Sequence, residues 1–257
     1  MPHFKSLKRI AQITLLAFYA SASVAEIIER PPNQPQFTMV SVERALAINA
    51  DLGATRENSD ESRNSSIRDG QREDKLEPAN LHIELRHALP RHMGYEVRGD
   101  GQVGLEDSFT PQRIALAGVS DVNISAFTSG SEYCVGGTGA ALVETSYLFD
   151  LNSASIVTLS MSSFINAEDE NYTFSLARIS STRPVIIWSD TTVFDADDNI
   201  QRDFSRKLEL KPGTYRIMVK LQASSAHNCS DGNAENTRAS VSLEIDGATE
   251  KSLGKSK

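Results

Sequence analysis

The densest carboxylate cluster in this chain is Asp195-Ala196-Asp197-Asp198-Asn199, with Asp190 before it and Asp203 after it. Calcium takes roughly six to eight oxygen ligands, and oxygen side chains at 195, 197, 199 and 203 match the first, third, fifth and ninth positions of a calcium loop. Ile200 stands where that loop needs its sharp-turn glycine, and Arg206 where it needs a bidentate glutamate. The segment therefore reads first as a solvated acidic loop between strands, with Ca2+ on Asp195, Asp197, Asn199 and Asp203 as the sharper alternative. Trp188, the one tryptophan, lies in the apolar run Val185-Ile186-Ile187-Trp188. Such a ring can stack on a sugar face, and it can equally be core. His82, His87 and His92 are spaced by fives, which on a strand sends neighbours to opposite faces, so they read as exposed polar residues rather than a metal set. Gly136-Gly137-Thr138-Gly139 lacks the following lysine of a phosphate cradle and reads as a flexible lead into a strand. There is no Gly-x-Ser-x-Gly elbow, and no catalytic residue or resident cofactor is assigned. An enzyme on this chain would need two carboxylates brought together by the fold.

Compartment and redox chemistry come from the other end. Lys5, Lys8 and Arg9 precede an apolar run from Ile10 to Ala20, followed by Ser21-Ala22-Ser23-Val24-Ala25. That order predicts a secretory signal peptide over residues 1–25 with cleavage after Ala25. Gln12 and Thr14 interrupt a run already short of the roughly 20 residues a span needs, so the product is expected in the periplasm or outside the cell, not inserted in the membrane. In an oxidising compartment the two cysteines, Cys134 and Cys229, predict a disulfide. The chain carries 26 Lys+Arg against 34 Asp+Glu, a net charge of -8. An acidic surface excludes nucleic acid as a partner, since that binding is driven by basic residues releasing counterions.

The elements that would position these groups are strands. After an extended leader (26–37), N-terminal strands are expected over 38–111, then a core sandwich over 112–248 and a polar tail over 249–257. Val40, Val42, Arg44, Leu46, Ile48 and Ala50 share one phase of a period-two pattern, which favours a strand over an amphipathic helix capped by Ser41 and stopped by Gly53. Residues 53–78 are so charged and so poor in large apolar side chains that a flexible polar loop is expected. Gly99-Asp100-Gly101 predicts a hairpin turn. Tyr215, Ile217, Val219 and Leu221 alternate with polar residues, as do Ala239, Val241, Leu243 and Ile245. One buried and one solvated face means antiparallel pairing. Lys211-Pro212-Gly213-Thr214 predicts a type II turn closing a hairpin between Phe204 to Leu210 and Thr214 to Gln222. The fold class is all-β: an antiparallel, jelly-roll-like β-sandwich with a long flexible N-terminal loop.

The stretch Leu208-Glu209-Leu210-Lys211-Pro212-Gly213-Thr214-Tyr215-Arg216-Ile217 resembles the L-x-P-G-x-Y-x-(L/I) segment of many bacterial secreted β-sandwiches. With the early strand Arg44 to Ala50, the polar run Asn58 to Ser66 and Tyr147-Leu148-Phe149-Asp150-Leu151, the order of features resembles the choice-of-anchor domains and the pre-peptidase C-terminal-like domains. The resemblance implies a sandwich and an exported location, and no chemistry. The tail at Glu250-Lys251-Ser252-Leu253-Gly254-Lys255-Ser256-Lys257 lacks the apolar sorting helix usual in the choice-of-anchor group. Together these features predict an exported, non-catalytic binding or structural module whose partner is a glycan or another exported protein. A carbohydrate-binding module, calcium-stabilised and using Trp188, is the first alternative, and a glycan hydrolase or lyase on a sandwich is the second.

Overall fold

A computed structural model describes residues 36–56, 60, 62–90, 95–128, 133–166, 171–180, 183–193, 200–228 and 235–248. The predicted signal peptide, most of the leader and the polar tail lie outside the described residues, all of which belong to the compact unit Asn33–Lys257. Among them run β1 (Phe37–Arg56), β2 (Ser62–Glu73), β3 (Asn80–Ala88), β4 (Tyr95–Thr110), β5 (Arg113–Thr128), β6 (Tyr133–Leu151), β7 (Ser155–Asn166), β8 (Asn171–Ile179), β9 (Pro184–Val193), β10 (Ile200–Leu210), β11 (Gly213–Asn228) and β12 (Glu235–Ala248). No helix long and apolar enough to cross a membrane occurs among them.

The strands form two six-stranded antiparallel sheets, in the orders β2-β1-β6-β11-β8-β9 and β10-β7-β12-β5-β4-β3. Strands β5 to β12 make a jelly roll, with β5-β12-β7-β10 in one sheet and β6-β11-β8-β9 in the other. Every connection among them except β8 to β9 crosses between sheets, the path of two Greek keys. β1 and β2 extend one sheet beyond β6; β3 and β4 extend the other beyond β5. The cause is the period-two pattern. In β6, Ala141, Val143, Tyr147, Phe149 and Leu151 are buried, and in β11 Tyr215, Ile217, Val219 and Leu221 face them from the same sheet. Burying each large side chain contributes roughly 1.5–3 kcal/mol.

Four sequence expectations need correction. The flexible loop predicted over 53–78 is instead the end of β1 followed by β2, which pairs with β1 from Arg44↔Glu73 to Thr55↔Ser62. β2 buries almost nothing, so its order comes from backbone pairing, which hydropathy does not register. Gly99 and Gly101 form no hairpin; they lie inside β4, facing the opposite sheet. A Cβ on Gly101 would stand 2.8 Å from Ile48 Cδ1 and 2.6 Å from the Asp121 carbonyl oxygen, and one on Gly99 2.8 Å from Ala50 Cβ. These glycines permit close approach of the sheets. The 136–139 glycine cluster is likewise inside β6, where a Cβ on Gly139 would stand 2.6 Å from Val122 Cγ2.

The fourth correction is the Pro212-Gly213 turn. It joins β10 to β11, but these lie in different sheets, so it is a corner and not a hairpin. Gly213 takes φ 149° there, a region that side-chain-bearing residues avoid. The Tyr215 hydroxyl donates to the Lys211 carbonyl at 2.6 Å, and Arg178 Nη2 donates to the Pro212 carbonyl at 2.8 Å. A tyrosine bonding back to the chain a few residues upstream is the tyrosine-corner device of sandwich folds.

Candidate functional site

The residues singled out by sequence are not brought to one place. Asp195, Asp197, Asn199 and Cys229 lie outside the described residues. Asp203 is exposed on β10, opposite Ser162 of β7. Trp188 is half-buried on β9, its ring centroid 5.0 Å from that of Phe174 and 4.6 Å from that of Phe204. Because β9 and β10 are the edges of different sheets, Trp188 packs across the open side of the sandwich, in edge contact with Phe204. Cys134, the second residue of β6, lies opposite Thr55 and is not a free thiol. It lines a concave polar surface.

That surface is an open groove of about 470 Å³ on the outer face of the first sheet, within the rough 300–1,000 Å³ range of small-ligand sites. Its geometry follows from register. Gly53 of β1 pairs with Gly136 of β6, so two adjacent outward positions carry no side chain and leave a depression. Around it the ladder sets Asn64 opposite Gly53, Ser66 and Thr138 on either side of Asp51, and Thr55 beside Cys134. The Ser66 hydroxyl donates to Asp51 Oδ1, and Asn49 Nδ2 lies 3.4 Å from Asp51 Oδ2. Hydroxyls, an amide, one carboxylate and the imidazole of His227 thus surround a backbone floor, and no Lys or Arg is among the lining residues. Behind that floor the sheets are drawn close: buried Ser120 of β5 donates to the Ala141 carbonyl at 2.6 Å and accepts from the Ala223 amide at 3.1 Å.

Sequence reasoning missed this groove because it placed Gly53, Thr55, Asn64, Ser65 and Ser66 in a loop. The available signal was the outward phase Asp51, Gly53, Thr55, which is complementary to the buried phase of Leu46, Ile48, Ala50 and Leu52.

A second cluster lies between the sheets. Arg44 of β1 and Asp107 of β4 have no side-chain exposure. The Arg44 guanidinium donates to Asp107 twice, Nε to Oδ2 at 2.5 Å and Nη2 to Oδ1 at 3.1 Å, and to the carbonyls of Lys75 (2.9 Å) and Glu77 (2.7 Å). Asp107 also accepts the Tyr147 hydroxyl at 2.6 Å and the Ala79 amide at 2.9 Å. Burial opposes the Arg44 charge, but the bonds and charge of Asp107 outweigh it and hold the guanidinium more firmly protonated than in free arginine. Tyr147 is pushed up from its ordinary value, first by burial and then by the Asp107 charge. With every group engaged in holding β1, β4, β6 and the 74–79 crossing together, this is a clasp and not a reaction centre.

No family model and no curated protein matches this chain. Among solved structures, it is similar to one of a CBM4 protein (10% identity, covering 51% of this chain and 75% of that one, TM-score 0.28). It is also similar to the K1 cleaved adhesin domain of Lys-gingipain from Porphyromonas gingivalis W83 (9% identity, 66% and 99% covered, TM-score 0.25). A third similarity is to infectious bursal disease virus Gx strain (7% identity, 88% and 59% covered, TM-score 0.25). Overlaps this loose leave the fold assignment to rest on the strand order of the chain itself.

Proposed function

We propose that this chain is an exported, non-catalytic binding module that seats a neutral, hydroxyl-rich ligand, a short saccharide by chemical class, in the groove over Gly53 and Gly136. The observation that carries the reading is the lining: hydroxyls, an amide, one carboxylate and the His227 imidazole around a backbone floor, without Lys or Arg. Such a surface exchanges hydrogen bonds with a polyol and offers no Lys or Arg to a phosphate or sulfate. Catalysis is disfavoured by the same inventory. Glycoside hydrolysis generally needs two carboxylates roughly 5–9.5 Å apart, and the groove lining holds one, Asp51. A serine nucleophile must donate to a histidine, whereas Ser66 donates to Asp51 and not to His227, the histidine of the lining.

Export is supported by the order of charge, apolar run and small residues over 1–25. A disulfide between Cys134 and Cys229 is supported by the absence of a free thiol at Cys134. The ladder adds to this: Asn228 pairs with Gly136, two positions from Cys134, and is followed directly by Cys229.

The test is a glycan array followed by calorimetry on the best binder. A neutral glycan should bind, and Asn64→Ala, which removes an exposed amide, should weaken it about tenfold, or about 1.4 kcal/mol, the scale of one hydrogen bond, with an unchanged melting temperature. Binding confined to charged glycans, or a neutral binder indifferent to Asn64, would sink this proposal; no binder at all would return the chain to a structural role.

A further inference from the structure

We infer that the outer face of β11, β8 and β9 is a docking surface for an anionic lipid bilayer, on which the exported chain lies without spanning it. Buried Ile217, Val219 and Leu221 send Arg216, Met218 and Lys220 of β11 outward, a line that sets one thioether between two cations. The same row continues toward the sheet edge: Arg216 pairs with Ala177 of β8, and Ala177 with Ile186 of β9. Ile186 is 64% exposed, Val185 55%, Met218 41% and Ile187 36%. Exposed Arg183, just before β9, adds a third cation. Neither β8 nor β11 contains an acidic residue. Asp150 and Glu144 of β6 stand opposite Thr214 and Lys220, on the side of β11 away from β9, and Asp190 of β9 stands opposite Phe174, a residue of the buried phase. The half of the sheet that ends at β9 is therefore cationic and apolar together.

Charge and shape name the occupant. The whole chain carries a net charge of -8, but at physiological salt a charge is felt over only about 8 Å, so a bilayer laid on this face meets the local cations. Each Lys or Arg close to an anionic leaflet strengthens binding about fivefold, and the aliphatic side chains beside them enter the boundary between headgroups and acyl chains. Another strand does not fit here. Pro184 has no amide hydrogen to donate, and Ile187 is an extra residue that breaks the ladder opposite Leu176 and Ala177, two of the devices that keep edges from pairing. A globular partner needs a closely packed apolar centre, whereas Ser175, Ser189 and Thr173 are interspersed among these apolar residues. A fluid leaflet requires neither an open ladder nor a complementary pocket.

Vesicle sedimentation tests this on the chain as exported after Ala25, which retains the whole compact unit Asn33–Lys257. It should sediment with phosphatidylcholine vesicles containing roughly one quarter phosphatidylglycerol and not with phosphatidylcholine alone. Arg216→Gln with Lys220→Gln should weaken binding about 25-fold, two cations at about fivefold each, with an unchanged melting temperature. Ile186→Asp should abolish binding, whereas Phe127→Ser, which removes a comparably exposed apolar side chain (61%) on the other sheet, should leave it as it was. The paired glutamine variant does not depend on how Ile186→Asp folds. Salt at about 0.5 M should release the chain. No binding to the anionic vesicles, equal binding to neutral ones, binding insensitive to salt, or binding untouched by the paired glutamine variant would each overturn the inference, as would a chain that associates with itself through this face and leaves vesicles alone.

Discussion

Arg44, Asp107 and Tyr147 carry the largest single-residue consequences in this fold. Removing one member of a buried ion pair leaves the other charged and desolvated, at a cost of about 3–5 kcal/mol. Asp107→Ala should lower unfolding free energy by that amount in urea, and Arg44→Met with Asp107→Leu should cost less than Asp107→Ala alone, since apolar replacements leave no buried charge. A double variant worse than the single one would mean that the bonds to the Lys75 and Glu77 carbonyls matter more than the charge pair. Tyr147 gives the pH dependence. Its folded pKa lies above the ordinary 10.0, from burial first and Asp107 second, so above pH 10 the unfolded chain has released a proton that the folded chain retains. Protons bound by the unfolded state are then fewer, and stability falls as pH rises. Tyr147 stability is thus complete below pH 10 and lost above it. Between about pH 8 and about pH 11, Tyr147→Phe should lose less of its urea midpoint than the wild type; parallel losses would remove Tyr147 as the cause. The clasp was partly legible: Arg44 stands in phase with Val42, Leu46 and Ile48, and Asp107 in phase with Val103 and Leu105, so each is a charge on a face that buries. The sequence does not reveal that these two faces meet.

Among the elements, the glycines in β4 and β6 show why period-two patterns transferred to the structure while turn signals did not. Alternation in β6 and β11 depends only on which face of one strand is buried, and it is written locally. Gly99-Asp100-Gly101 carries the composition of a turn, yet its glycines answer to Ile48 and Ala50 on the other sheet, which no local rule can see. The Pro212-Gly213 corner misled for the same reason: turn chemistry fixes the bend and not whether the next strand pairs or crosses. β2 was illegible because its order is paid in backbone hydrogen bonds. Close approach has a measurable consequence. At Gly101 an added methyl meets the Asp121 carbonyl at 2.6 Å, backbone that cannot swing aside; overpacking of this kind costs about 1–3 kcal/mol. At Gly53 the nearest atom is Asn64 Oδ1 at 3.1 Å, the end of an exposed side chain. Gly101→Ala should therefore lower the urea midpoint clearly and Gly53→Ala should barely change it. Equal effects would show that the sheets separate easily, and the account of the β4 glycines would fail.

At the scale of the molecule, the groove and the proposed disulfide share a wall. The groove draws residues from β1, β2, β6 and β11, from Asp51 to His227 in the chain, which is why no sequence motif announced it; only the register of β1 against its two neighbours places Asn64, Gly53 and Gly136 in a row. Cys134 stands at that wall, and β11 pairs with β6 from Gly213↔Leu151 to Asn228↔Gly136, so the ladder already holds the two strands together in the folded state. A bond from Cys134 to Cys229 then acts on the unfolded chain. Closing a loop of about 95 residues removes conformational entropy worth about 3–5 kcal/mol, and the folded ladder gains little from it. The kinetic expectation follows. Bringing β6 and β11 together must precede their pairing, so replacing both cysteines by serine should slow folding and leave unfolding nearly unchanged, with total stability lower by that amount. Stopped-flow folding and unfolding limbs in urea separate the two rates. A loss appearing mainly as faster unfolding would mean that the bridge supports the native groove wall directly, and a loss near zero, together with two free thiols by mass spectrometry, would mean that the bridge does not form.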